Sequence, residues 1–446
     1  MKKSMTTIAA SLTLLMALSA CGGNNGNNGN SGSADNSAAQ PSGGSASGEA
    51  PAKEVTLRVT SWVPEMKPAM EKIGEQFAKE NPGVTVDFSI IPGDQYENIT
   101  KTKLLANDAP DLFFMFASRV DELAANGLIG ELSGASFYDR LLPGFQKKSA
   151  DGKLYALPVD YSAYGVFYNQ DVFKGLNLTP PQTFAELLSV SETIKAAGIE
   201  PFALGAKDSW TIENMALPMY ASMTKPNEPN FGKDLYDGKA SMSDAAFKRP
   251  FLALAELQDK GYINKGALGI DYQQSVASVL EGKTAMIASG SYVVGTASTL
   301  EADAQLGYFP FPADEGDPGL LMIVDKSLVY SSKGKNPELA QKFIDFFARA
   351  DIMKMHIEGL NAIPTLGDTN AALPQALLDL GASAAKFRAF SQGFYLPGRA
   401  YQTFTEKLLP EIITGKGATD ARFAELDKQL KEELQNPKVA VPFEEQ

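Results

Sequence analysis

The side chains that could make or break a covalent bond are few in this sequence. It holds one histidine, His356, and one cysteine, Cys21. A paired-histidine zinc site is therefore excluded, as are most nucleophilic triads, which need a histidine base beside the nucleophile. His356 shares a helical pattern with Met353 and Met355 and reads as structural rather than catalytic. There is no Gly-x-Ser-x-Gly run of the kind that exposes a nucleophilic serine. Glu281-Gly282-Lys283-Thr284 carries the Gly-Lys-Thr ending of a phosphate loop, but Ala277 stands where its first glycine belongs. A phosphate loop leaves a strand and opens a helix. Here a helical pattern precedes and an apolar strand pattern follows, so the run is a helix stop. Carboxylates are abundant, with 53 Asp and Glu in the chain, and glycoside hydrolysis needs only a pair of them. That chemistry stays open on composition alone.

Alternating and helical patterns set out the elements that would hold any site. Glu54-Val55-Thr56-Leu57-Arg58-Val59-Thr60 alternates as a strand. Met70, Ile73 and Phe77 fall on one helical face within residues 66–81, and Asn81-Pro82-Gly83 stops that helix. A strand at residues 84–88, a helix at 96–107 and a strand at 111–115 follow. Strand, helix, strand, helix, strand is the order of a parallel α/β sheet with right-handed crossovers, whose ligands gather beyond the carboxyl ends of the strands. Those ends place Ser61 to Lys67, Pro92 to Gln95 and Phe116 to Arg119 in candidate loops. Further on, Tyr155-Ala156-Leu157-Pro158 and Gly165-Val166-Phe167-Tyr168-Asn169 read as a strand pair. Thr183 and Glu186 read as a capping box for a helix over 183–197. Helices are expected at 247–260, 272–280, 339–350, 373–390, 404–413 and 418–435, with strands at 306–312 and 320–330.

The amino end is of a different kind. Lys2 and Lys3 precede an apolar run over residues 8–18 that is too short to span a bilayer. Leu18-Ser19-Ala20-Cys21 closes it and resembles the lipobox of bacterial lipoproteins. The resemblance implies a signal peptide over residues 1–20 and a diacylglycerol on the Cys21 thiol. Residues 21–53 then form a tether of Gly, Asn, Ser and Ala without apolar periodicity, unable to bury enough surface to fold. Such a coil spans about 30 Å on root-mean-square average. A lone cysteine leaves no intramolecular disulfide, and the net charge of −13 disfavours nucleic acid and anionic lipid surfaces. The expectation is a lipid-anchored protein on the outer face of a cell membrane, of the Gram-positive type.

Ser61-Trp62, Ala109-Pro110-Asp111-Leu112-Phe113, Leu157-Pro158 with Phe167-Tyr168-Asn169, Glu281 through Met286 with Gly290-Ser291-Tyr292, and Asn336-Pro337-Glu338-Leu339-Ala340 occur in that order. Together they resemble the extracellular solute-binding proteins of ABC importers, in the sugar-binding branch that contains maltose-binding protein. The family usually has tryptophan where this chain has Tyr292, which offers a smaller stacking face. The resemblance implies an α/β fold of two lobes, each a mainly parallel sheet flanked by helices, joined by crossing strands near residues 165–169 and 308–311. The amino lobe would comprise residues 54–164 and 311–361, and the carboxyl lobe 165–310 and 362–446. It implies a carbohydrate held in the cleft, delivery to permease transmembrane subunits, a monomer, no cofactor, no metal and no catalysis. The candidate ligand contacts are Trp62, Glu65, Tyr96, Phe116, Arg119, Asp160, Tyr161, Trp210, Tyr292 and Tyr395. They are aromatic faces for sugar C–H surfaces and planar polar groups for hydroxyls. Arg119 matches a polar contact position of the family. Asp111 reads instead as a residue that ties backbone at a strand start. A lipid-anchored glycoside hydrolase and a ligand receptor serving a sensor kinase are the competing readings.

Overall fold

Alternation of apolar residues builds the first strand, β1 (Val55–Ser61), with Leu57 and Val59 fully buried. It lies parallel to β2 (Val84–Ile90) and to β3 (Leu112–Met115). The helix Lys67–Glu80 connects β1 to β2 and buries Ala69, Met70, Ile73 and Phe77 along one face. It stops where the Asn81 side-chain amide donates to the Phe77 carbonyl (2.8 Å) and Gly83 adopts a φ of 85°, open to glycine without strain. The computed structural model that carries these elements describes residues 54–106, 108–149, 151–300, 305–390 and 396–435. Cys21, the run before it, the tether and Tyr395 lie outside the described residues.

The remaining strands are β4 (Leu157–Asn169), β5 (Glu200–Ala203), β6 (Thr284–Gly290), β7 (Leu306–Phe309), β8 (Leu320–Tyr330), β9 (Ile363–Pro364) and β10 (Ala389–Phe390). Among the described residues they join one mixed sheet in the order β2-β1-β3-β8-β4-β6-β5, with β7 and β9 beside β4 and β10 beside β8. The sheet is parallel toward both ends, where β1 meets β2 and β3 and where β5 meets β6. It is antiparallel in the middle, where β8 meets β3 and β4, and β4 meets β6.

The expected strand pair on either side of Asp160-Tyr161-Ser162 is one long strand instead. Its alternation is masked because the pairing register shifts after Pro158, which has no N–H to give the ladder, and again after Asp160. The first part of β4 pairs with β8, and the last part with β6 and β7. Leu157 and Val159 pack in a core with Leu57, Phe77, Phe114 and Phe343. Val166 packs in another with Phe202, Met219, Phe247, Phe404 and Phe423. β8 divides the same way: Leu328 and Tyr330 join the first core, while Leu321 packs against Tyr164 and Ala221. Both strands therefore run from one apolar core toward the other.

Local signals hold in most places. Thr183 Oγ1 accepts from the Glu186 N–H (3.2 Å) at the start of the helix Phe184–Ala196, but Glu186 reaches back to the Gln182 N–H (2.7 Å) rather than to Thr183. Asp271 and Gln274 form a complete reciprocal cap on the helix Tyr272–Leu280. The Gly282 turn (φ 69°) separates that helix from β6, so the Gly-Lys-Thr run is a helix stop. Asp111 ties backbone as expected: it accepts from the Arg58 N–H (2.9 Å) and the Asn336 N–H (3.1 Å). The helix expected over 373–390 covers only Gln375–Lys386, after which the chain extends into β10.

Candidate functional site

Trp210 opens the helix Trp210–Met223 and leaves 41 % of its surface exposed. Its ring lies 4.8 Å from that of Tyr272 and 6.2 Å from that of Tyr292. Tyr272 and Tyr292 are 6.1 Å apart, and Tyr164 completes the wall 6.2 Å beyond Tyr292. Polar groups fix this aromatic wall. The Asn214 side-chain amide donates to the Tyr292 hydroxyl, and the Tyr272 N–H donates to Asp208 (2.8 Å). The hydroxyl of Tyr272 and that of Ser289 are buried with no hydrogen-bond partner among the described residues. Burial raises the phenols of Tyr164, Tyr272 and Tyr292 well above their ordinary range, so all three stay neutral.

A second aromatic group follows β1. The half-buried Trp62 ring sits 4.4 Å from Phe116 and 5.1 Å from Tyr96. Arg119, in the first turn of the helix Ala117–Ala125, pairs with Glu97 (3.1 Å) and lies 3.8 Å from Glu122. The two groups share one neighbourhood. The Pro64–Met66 turn packs on the helix Val293–Thr299, which follows Tyr292. The charge of Glu65 reaches the Tyr272 phenol, and those of Arg119 and Glu97 reach Tyr401. Asp325, on β8, acts on both Tyr164 and Tyr292.

Six of the expected contacts, Trp62, Glu65, Phe116, Arg119, Trp210 and Tyr292, are thus brought into this arrangement. Three are placed otherwise. Tyr96 is only 1 % exposed, and its hydroxyl donates to the Phe114 carbonyl (2.6 Å), so it buttresses Trp62 from beneath instead of offering a face. Asp160 is buried and held by charge: Lys326 Nζ lies 3.1 Å from it, and His356 Nε2 3.6 Å. Lys326 also reaches Asp325 at 2.6 Å. Burial alone would push the Asp160 carboxyl up, but the Lys326 and His356 charges outweigh it and hold the group low. Tyr161 stacks 4.9 Å from Phe145 and joins neither ring group.

Sequence reasoning missed Tyr272, Asn214 and Glu213. Glu213 and Asn214 follow Trp210 by about one helical turn, which was a readable signal once the tryptophan had been chosen. Burial pushes the Glu213 carboxyl up to about 7, against the pull of the Tyr401 hydroxyl 3.2 Å away. Tyr272 carried no signal, since its place depends on the long-range approach of two loops. Among the described residues no cluster of three or more His, Cys, Asp or Glu converges as a metal site. A separate cavity of about 290 Å³, lined by Pro180, Pro181, Pro310, Pro312, Pro318 and Phe387, shares no residue with the aromatic walls.

Two α/β cores are spanned by long shared strands, and ring-bearing element ends converge beside them. Residues 60–354 match the model of the bacterial extracellular solute-binding protein family, and the chain belongs to that family. It is 25 % identical over 311 residues to the multiple sugar-binding protein of Streptococcus mutans, covering 68 % of this chain and 74 % of that protein. It is 24 % identical over 311 residues to the melibiose/raffinose/stachyose-binding protein MelE of Bacillus subtilis, covering 67 % and 70 %. Its fold matches the solute-binding protein RafE solved with raffinose at a TM-score of 0.74 and 22 % identity, over 86 % of this chain and 100 % of that one. It also matches a sugar transporter protein of Bacillus licheniformis solved with stachyose, at a TM-score of 0.71 and 25 % identity, over 85 % and 100 %. No helix of the described residues is long and apolar enough to cross a membrane.

Proposed function

We propose that this chain is the membrane-anchored receptor of an ABC importer, and that it captures an oligosaccharide between the two aromatic groups and hands it to the permease. The observation that carries the reading is the wall of Trp210, Tyr272 and Tyr292 beside Trp62 and Phe116, with Glu213, Asn214 and Tyr401 among the rings. Flat apolar faces take the C–H surfaces of a sugar, and fixed polar groups take its hydroxyls. Relatives named for multiple sugars and for melibiose, raffinose and stachyose support it.

In this reading residues 54–164 and 311–361 form an amino lobe, and 165–310 and 362–446 a carboxyl lobe. β4 and β8, rather than the stretch near residues 308–311 first expected, are the strands that bend as the lobes close. Contacts from both walls exist together only in the closed form, so ligand shifts the population toward closure. Cys21 carries the lipid, residues 22–53 are the tether, and the body works as a monomer without a cofactor. The ligand leaves unaltered. Glu213 resembles the raised acid of a glycosidase, but hydrolysis would need a partner carboxylate about 5–9.5 Å across the scissile bond.

Thermal shift with a panel of neutral oligosaccharides tests the reading, because a ligand bound only by the folded state raises stability. The expected result is a raised midpoint with raffinose, stachyose or another oligosaccharide, and the same sugar recovered intact after prolonged incubation. No shift with any saccharide would refute sugar binding, and accumulating product over many turnovers would put the hydrolase in its place.

A further inference from the structure

Glu213, one helical turn after Trp210, meets the Tyr401 hydroxyl, and among the described residues no cation pairs with it. Among the described residues the Tyr401 hydroxyl, 3.2 and 3.4 Å from its two oxygens, pulls the raised carboxyl down, and no basic side chain among them contributes. An ionised carboxylate offers about four acceptor sites, most of which one hydroxyl leaves open. The Glu213 charge also acts on Tyr164, on β4.

The other charged groups around the wall come from separate elements. Glu65 of the Pro64–Met66 turn acts on Tyr272, and Asp325 of β8 acts on Tyr164 and Tyr292. Asp208 accepts from the Tyr272 backbone. Glu97 and Arg119 act on Tyr401 from the side of Trp62. Arg119 is engaged by Glu97 and Glu122, and Lys326 by Asp160 and Asp325. Lys207, in the loop before Trp210, lies 4.0 Å from Asp271. Carboxylates therefore outnumber cations beside the rings, and each cation already faces acid.

We propose that Glu213 makes this cleft select oligosaccharides by charge, taking those that set a hydroxyl or amino group against its carboxyl and refusing those that bring a carboxylate there, as a uronic acid does. The proposal deepens the sugar-binding reading and rests on it. The rings of Trp210, Tyr272 and Tyr292 offer their faces to any pyranose and do not sense charge. A ligand carboxylate would have to shed its water beside Glu213, Glu65 and Asp325, with the nearby cations already paired. A hydroxyl or ammonium instead fills the acceptor sites that Tyr401 leaves open, where low polarity strengthens the bond. Repulsion of the wrong ligand is an ordinary source of specificity in such a site.

The test is calorimetric titration of the whole body with matched trisaccharides. Raffinose, maltotriose and xylotriose are the neutral probes, the chitosan trimer the amino probe, and trigalacturonate with glucuronate-branched xylotriose the acidic ones. At about pH 8, where Glu213 is ionised, the best neutral or amino probe should bind roughly 100-fold or more tighter than any acidic probe, as like charges in contact cost several kcal/mol. Glu213→Gln, with its apo melting checked, should close most of that gap, whereas Glu213→Asp keeps the charge and should preserve it. Lowering the pH to about 5.5 should narrow the gap in the parent and leave Glu213→Gln unaffected, because the uronates stay ionised while Glu213 takes a proton. Acidic probes binding within tenfold of neutral ones, or a gap unchanged in Glu213→Gln, would overturn the proposal while leaving sugar binding intact. Failure of every saccharide to bind would overturn the sugar reading and this one with it.

Discussion

Lys326→Met takes the cation out of the buried charge cluster and leaves a side chain of similar length. Lys326 Nζ stands 3.1 Å from Asp160 and 2.6 Å from Asp325, and Asp160 and Lys326 are 1 % and 3 % exposed. Without it, Asp160 keeps only His356, 3.6 Å away. Breaking a buried pair from one side costs about 3–5 kcal/mol, because the remaining charge is left uncompensated. That is a large part of a typical total of about 5–15 kcal/mol. With a urea dependence of ~3 kcal/mol per molar, the unfolding midpoint should fall by roughly 1–1.7 M. Asp160→Asn combined with Lys326→Met should recover part of the loss, since Asp160 then no longer stands as a buried carboxylate without its cation.

The pH dependence of the same variant separates this explanation from simple loss of packing. In the parent, burial depresses His356 below its ordinary value, the Lys326 charge adds to that, and Asp160 opposes it without prevailing. The unfolded chain then binds protons more readily, so this group's stability is present above about pH 6.5 and is lost as pH falls through the lower folded value. In Lys326→Met the repelling ammonium is gone and the imidazolium becomes the only partner of Asp160. His356 should then rise above its unfolded value, and stability should grow as pH falls from about 7.5 to 5.5. Urea unfolding followed by circular dichroism at several pH values measures both effects. An unchanged midpoint, or a variant that loses stability on acidification as steeply as the parent, would refute the reasoning.

Trp210→Ala should weaken binding of the best neutral oligosaccharide by ~1–3 kcal/mol, by analogy with bases stacked on aromatic rings, and titration measures it. Trp62→Ala should cost more apo stability than Trp210→Ala, because Trp62 is wedged against Tyr96 and Phe116 while Trp210 is 41 % exposed; paired melting curves decide this. Gly205→Ala would set its Cβ 2.5 Å from the Asp271 carbonyl and 2.8 Å from the Tyr272 amide, both backbone, so it should lower both stability and sugar affinity by displacing Tyr272 from Trp210. Cys21→Ala should leave the body folded and release it into the medium; retention of the variant on membranes at high salt would count against the lipid anchor.

The sequence alone determined what depends on near neighbours in the chain. Met70, Ile73 and Phe77 mark a buried helical face, and Asn81 with Gly83 marks its end, because capping and periodicity are settled within a few residues. Asp111 and the Gly282 helix stop were legible for the same reason. One histidine and one cysteine bounded the chemistry before any fold was known. Trp62 and Trp210 could be chosen because tryptophan is rare here, with only two in the chain.

Tertiary structure decided the rest. β4 looks like two strands in sequence and is one, since its first part answers to β8 and its last part to β6 and β7, which lie far along the chain. Asp160 had the character of a ligand contact, but Lys326 and His356 arrive from β8 and a distant helix to enclose it. Tyr96 became a buttress because the carbonyls of Thr60 and Phe114 both reach its hydroxyl. Tyr272 and Glu213 entered the site only when the loop at Gly205 and the helix that carries Tyr401 were brought against them. A side chain's type is set by its own codon position, but whether it is solvated, paired or buried depends on groups that only folding brings within a few ångströms, and that environment decides which carboxyl is a structural anion and which is left to meet a ligand.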